Sequence, residues 1–156
     1  MTRWYLDTEF NEDGRTIDLI SIALVAEDDR EYYAVSSEFD ESRCNDFVRA
    51  NVLPHLPAER KDRATIAAEV RELLLADGKP EIWAYFADYD WVVLCQLYGP
   101  MVSLPKGFPY WCRDLKQEMA RLGVEKSALP QQESAEHDAL NDARWVRCAF
   151  RAMGLG

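Results

Sequence analysis

The chain is poor in positive charge: 18 Lys and Arg stand against 28 Asp and Glu, for a net charge of −10. That shortage argues against an extended nucleic-acid-coating surface, which is normally basic. Most of the acids read as a solubilising surface. Long apolar runs are also missing, and none approaches the ~18–20 residues needed to cross a membrane. The opening MTRWYLDTEF enters a strand pattern without a basic stretch and a long apolar segment, so no secretory signal is expected. Cys44, Cys95, Cys112 and Cys148 are scattered, with no Cys-x-x-Cys spacing. They read as reduced, core-filling cysteines of a cytoplasmic protein rather than as a disulfide frame or zinc site.

What is present is a globular composition: 48% apolar residues and five tryptophans in 156 residues suit a single domain, 1–156, with a full core. RWYLDTEF, TIDLISIALVA and EYYAV are three apolar segments separated by Gly- and Asp-containing turns, the pattern of an antiparallel meander. A short helix is expected around 44–53. PHLPAERKDR reads as a long surface loop. Ile66, Ala67, Val70, Leu73 and Leu74 recur at helical spacing up to Asp77-Gly78. EIWAYF follows as a buried strand, then a helix to about Tyr98 capped by Asp88 or a neighbour. YWC is read as a last short strand, with Asp114 opening a helix to about Leu122. Residues 123–136 are polar and irregular. Ala139, Ala143, Val146, Phe150 and Met153 form the stripe of an amphipathic C-terminal helix. The expected class is α/β: a mixed central sheet with three leading antiparallel strands, flanked by helices.

Three acidic elements stand out of this frame. Asp7 and Glu9 end the first apolar strand, and residues two apart on a strand share a face. At ~3.3 Å per residue their Cβ atoms lie roughly 6–7 Å apart. Two buried like charges need a positive partner. A second Asp-x-Glu, Asp29-Arg30-Glu31, falls in a turn and carries nothing. The next element is AYFADYDWVVL, where Asp88 and Asp90 compete at a strand–helix junction and Asp88 suits a helix cap. The last is HDALNDAR, in which His137 precedes the final helix and Asp142 lies within it. Glu133, Glu136 and Asp138 surround His137, whereas His55 sits between prolines without acidic company.

In this order, Asp-x-Glu, a middle Asp and His-x4-Asp resemble the DEDDh 3′–5′ exonucleases, the group of ribonuclease T and oligoribonuclease. The wording of YLDTEF, TIDLISIALVAEDDREYYAVS, VLCQLYGPM and HDALNDAR is most like the short mycobacterial exoribonucleases among them. The resemblance spans nearly the whole chain. It implies a ribonuclease H-like fold, two Mg²⁺ or Mn²⁺ ions, single-stranded RNA 3′ ends as partner and a homodimer. Carried over, Asp7, Glu9, Asp90 and Asp142 are the metal ligands and His137 is the general base. The chain departs from the family in having Phe10 where Thr often follows the Glu, and Phe86-Ala87-Asp88-Tyr89 where Asn often precedes the middle Asp.

The residues agree on their own chemistry. Four carboxylates suit hard divalent cations, two such ions suit an in-line phosphodiester displacement, and a neutral His can take a proton from water. Metal would supply the positive partner that Asp7 and Glu9 require. Phe10 either stacks on a base or packs in the core, since alternation sets it with Trp4, Leu6 and Thr8, opposite the acids. Trp91 reads as core. Arg144, Arg147 and Arg151 read as a solvated helical row, and Arg60, Lys61 and Arg63 as a small basic surface loop. A DNA-directed exonuclease of the same fold and a catalytically silent nucleic-acid-binding module are the alternatives. The second would not require the four acids and His137.

Overall fold

The computed structural model describes residues 1–132 and 136–156. Its centre is a five-stranded sheet in the order β3-β2-β1-β4-β5. The strands are β1 (Arg3–Glu12), β2 (Ile17–Ala26), β3 (Glu31–Val35), β4 (Glu81–Ala84) and β5 (Arg113–Asp114). β1, β2 and β3 pair antiparallel, whereas β4 pairs parallel with β1 and β5 with β4. The helices are α1 (Asp46–Asn51), α2 (Arg63–Leu75), α3 (Ala87–Gln96), α4 (Leu115–Leu122) and α5 (Ala139–Ala152). A mixed sheet in this order with helices on both faces is the ribonuclease H-like α/β fold.

The alternation of β1 decides the layers. Trp4 and Leu6 are fully buried on one face with Ile66, Val70 and Leu74 of α2 and with Val93 and Leu94 of α3. Tyr5 points the other way, into Leu115, Met119, Val146 and Phe150 of α4 and α5. Its ring meets Phe150 edge-on at 5.4 Å. Of the stripe expected on α5, Ala139, Ala143, Val146 and Phe150 are all within 1% of complete burial, whereas Met153 falls at the C-cap and is only partly buried.

β1 and β2 lose register between Glu9 and Phe10, where Glu9 pairs with Ser21 but Phe10 with Leu19. The extra residue, Ile20, packs on Val48 and Val52 and so seats α1 over this end of the sheet. On its other edge β1 is covered by β4 only from Arg3 to Leu6. From Asp7 onward that edge of β1 is open, and the space beyond the carboxyl end of β4 becomes a crevice.

Several expectations are corrected. EIWAYF is strand only through Ala84, because Phe86 takes φ 56° and turns the chain into α3. Asp88 does not cap that helix. It is exposed in the first turn, and the N–H of Ala87 is received by Asp114 at 3.1 Å. YWC is not the last strand; Tyr110 and Trp111 are 68% and 58% exposed, and pairing begins at Arg113. The arginine row of α5 is not simply solvated. Arg144 holds Glu31, Arg147 holds Asp29 and the Ala26 carbonyl, and Arg151 holds the Glu27 carbonyl. Together they strap α5 to the β2–β3 turn. In the basic loop, Lys61 pairs with Glu69 and Arg63 with Asp18, leaving only Arg60 without an acidic partner among the described residues. Glu133 lies outside the described residues.

Candidate active site

The crevice at the open edge of β1 has a volume of roughly 450 Å³ and is bordered by Asp7, Glu9, Asp90, His137 and Asp142. Three separate elements deliver the four acids, and His137 lies just before the last of them. Asp7 and Glu9 stand on the face of β1 that α5 covers, Asp90 comes from α3, and Asp142 from the first turn of α5.

Each acid is placed by a local reason. β1 would leave the Thr8 N–H unpaired at its open edge, a costly orphan. Asp90 receives it at 2.8 Å and also receives the Thr8 hydroxyl at 2.5 Å. The spacing in His-x4-Asp has a comparable logic. Asp138 caps α5 by accepting the N–H of Asn141. Asp142, one turn on, reaches back to accept the His137 N–H at 3.0 Å, and its second oxygen accepts from Gln132 Nε2 at 2.5 Å. His137 itself sits at φ 64°, an uncommon backbone for a residue with a side chain. Both non-glycine left-handed residues of this region, Phe86 and His137, border the crevice.

The electrostatics of the cluster are unbalanced. Among the described residues, none of the four carboxylates has a Lys or Arg ion-pair partner. Glu9 and Asp90 are buried, with 9% and 6% of their surface exposed. Burial, reinforced by Asp142 and Asp90, pushes Glu9 up to about 8. Burial also raises Asp90 to about 7, against the lowering effect of the two Thr8 hydrogen bonds. Asp7 is held well above the usual carboxylate range by desolvation and then by Asp90, Asp142 and Glu9. Asp142 is raised too, chiefly by burial. Ligand atoms of Glu9, His137 and Asp142 lie within 4.8 Å of one another. Crowded, desolvated oxygen donors without a Lys or Arg ion pair among the described residues fit one or more hard divalent ions.

Aromatic rings line the mouth. Phe10 stacks on Tyr89 at 5.6 Å, with ring planes 17° apart. Phe47 of α1 meets the His137 ring edge-on at 4.9 Å. Phe47, Phe86 and Tyr89 are each more than half exposed. Phe10 packs against the apolar core under the sheet and also borders the crevice. Sequence reasoning did not reach Phe47 or Gln132, and it met Phe86, Tyr89 and Thr8 without giving them a place in the site. The one available signal was aromatic residues set in polar surroundings, as in NDFVRAN and FADYD.

A four-carboxylate crevice at the carboxyl end of β4, on this sheet order, fits the exonuclease type that the sequence resembles within the ribonuclease H-like fold. The 3′-5′ exoribonuclease Rv2179c-like domain matches residues 2–153, and the chain belongs to that family. It is 47% identical over 157 residues to the 3′-5′ exoribonuclease Rv2179c of Mycobacterium tuberculosis strain H37Rv, covering 97% of this chain and 92% of that protein. The same identity and coverage hold for the 3′-5′ exoribonuclease MT2234.1 of strain CDC 1551. Among solved structures, exonuclease I superposes with a TM-score of 0.72 at 15% identity, over 99% of this chain and 41% of the other. The zinc-ion-bound complex of Escherichia coli exonuclease I with single-stranded DNA gives 0.75 at 15% identity, over 99% and 40%. The chain thus spans about two fifths of exonuclease I, and that likeness concerns the fold.

Proposed function

We propose that this protein is a metal-dependent 3′–5′ exoribonuclease that hydrolyses single-stranded RNA ends to nucleoside 5′-monophosphates. The observation that carries this reading is the meeting of Asp7, Glu9, Asp90 and Asp142 in one crevice, none of them in an ion pair with Lys or Arg among the described residues. Two Mg²⁺ or Mn²⁺ ions held by these carboxylates would supply charge stabilisation at the attacking and leaving oxygens of the phosphodiester. The chain's own residues do the rest. Thr8 fixes Asp90, while Gln132 and the His137 backbone fix Asp142, so the donors are oriented before substrate arrives. The His137 imidazole, at the rim and within reach of Glu9 and Asp142, takes the proton from the attacking water. Hard ions prefer oxygen, which leaves that ring free for the proton. Phe10, Phe47 and Tyr89 offer faces and edges to the terminal bases. Preference for RNA follows the relatives of high identity, which are named exoribonucleases.

The test is degradation of 5′-labelled single-stranded RNA and DNA with Mg²⁺, Mn²⁺ or EDTA. Stepwise shortening of RNA from the 3′ end, lost in EDTA, is expected. Faster shortening of DNA would make the enzyme DNA-directed, equal shortening would remove the RNA preference, and no shortening of either would leave a binding module.

A further inference from the structure

The acid cluster does not close the crevice on its far side. Asp7, Tyr85, His137 and Asp142 are shared with a second recess of roughly 160 Å³, whose other walls include Lys126, Gln132 and Trp145. That recess continues along Lys126, Gln132 and Trp145 into a wider surface groove bordered by Ser127 and Pro130. The catalytic acids therefore stand at a junction, with an aromatic crevice on one side and this groove on the other. A strand cleaved at the junction must occupy both.

The groove differs from the aromatic crevice in one respect that bears on RNA. Among the described residues that border the crevice, the recess and the groove, Lys126 is the only Lys or Arg. In a chain of net charge −10, a polyanion approaching four carboxylates needs an attractive point nearby. Lys126 is held for such a task. Its ammonium lies 5.1 Å from the centre of the Trp145 ring and 5.9 Å from that of Tyr85. Its only ion pair among the described residues is a long one, 3.8 Å to Glu136, with both side chains more than half exposed. A pair of that length and exposure is weak and readily exchanged for a phosphate.

We propose that Lys126 binds a non-bridging oxygen of the RNA phosphate next to the scissile one, on the groove side of the acid cluster, and that Glu136 competes with the phosphate for it. This rests on the exoribonuclease reading above. In it, the ammonium exchanges the Glu136 carboxylate for a phosphate that Trp145 and Gln132 leave room to enter. Because the contact exists before and during cleavage, it acts on binding more than on the chemical step.

The experiment is steady-state degradation of a 5′-labelled oligoribonucleotide across a salt series, comparing wild type with Lys126→Gln, Lys126→Arg and Glu136→Gln. Lys126→Gln should raise KM about tenfold with kcat nearly unchanged, as befits loss of one charge-assisted contact. It should also flatten the dependence of log(kcat/KM) on log salt by about 0.7, the value for one phosphate contact on a single strand. Lys126→Arg should restore most of the affinity. Glu136→Gln should lower KM, because the competitor is gone. A purely structural role for the pair, tethering the segment before His137, predicts the opposite: both Gln variants would lose kcat together. That result, or a KM and salt slope unchanged in Lys126→Gln, overturns the proposal. Wild type that leaves RNA intact would instead overturn the function on which it rests.

Discussion

Asp88 and Asp90 lie two residues apart on one helix turn, yet their surroundings assign them different work. Asp90 is buried under Thr8 and raised to about 7, while Asp88 is exposed and caps nothing. Asp90→Asn keeps an acceptor for the Thr8 N–H and removes a charge from a crowded site. It should abolish turnover and lose no stability in EDTA. Asp88→Ala should stay within about 0.5 kcal/mol of wild type, as an exposed substitution away from caps and core does, with activity intact. The opposite outcome in paired urea melts and RNA assays would move the middle acid two positions. His137 calls for similar care, because its φ of 64° makes Ala a strained replacement, whereas Asn tolerates the left-handed region. His137→Asn should slow single-turnover cleavage ~10²–10⁴-fold, the usual loss with a general base. The metal-induced rise in Tm should persist in that variant, because the Asp142 contact comes from the backbone. Near wild-type cleavage by His137→Asn would remove the imidazole from the mechanism.

At the scale of elements, the residues that share a face by simple periodicity were legible in the sequence. The three leading strands, the burial stripe of α5 and the placement of Asp7 and Glu9 on one side of β1 all follow from spacings of two or of three and four. Three features were not legible because they depend on contacts between distant segments. The β1–β2 register shift that lets Ile20 seat α1 cannot be seen in either strand alone. The arginines of α5 look solvated until the β2–β3 turn arrives to meet them. The cap of α3 comes from another element altogether. Asp114 gives one oxygen to the N–H groups of Lys116 and Gln117 in α4, and the other to Ala87 of α3. It therefore joins two helix starts through one side chain. Asp114→Ala should destabilise by about 2 kcal/mol or more, at or beyond the upper end for a single lost cap. Because α3 carries Asp90, the same variant should also weaken the Mn²⁺-induced shift in Tm. A loss of a few tenths of a kcal/mol in urea denaturation would mean that water replaces Asp114 at both helices.

For the whole molecule, the cluster of acids makes stability a function of pH and, on the reading proposed above, of metal. Folding raises Glu9 to about 8 and Asp90 to about 7, and raises Asp7 and Asp142 as well. In the unfolded chain these groups titrate near pH 4. Between about pH 4 and pH 8 the folded protein thus holds protons that the unfolded chain has released, and stability must fall as pH rises through that window. The surface carboxylates whose values are lowered by hydrogen bonds and ion pairs, such as Asp13, Asp28 and Asp62, complete their titration below it and do not mask the trend. In EDTA, Tm should decline steadily from pH 5 to pH 8. On the metal-dependent reading proposed above, divalent metal would replace protons as the neutralising partner and bind only the folded arrangement, so its stabilisation should grow with pH over the same range. With saturating Mn²⁺ the decline should flatten or reverse, and calorimetry in buffers of different ionisation enthalpy should register proton release on binding. A Tm in EDTA that rises from pH 5 to pH 8 would mean the acids find a cationic partner in solution, and the crevice would then have no need of metal to stay folded.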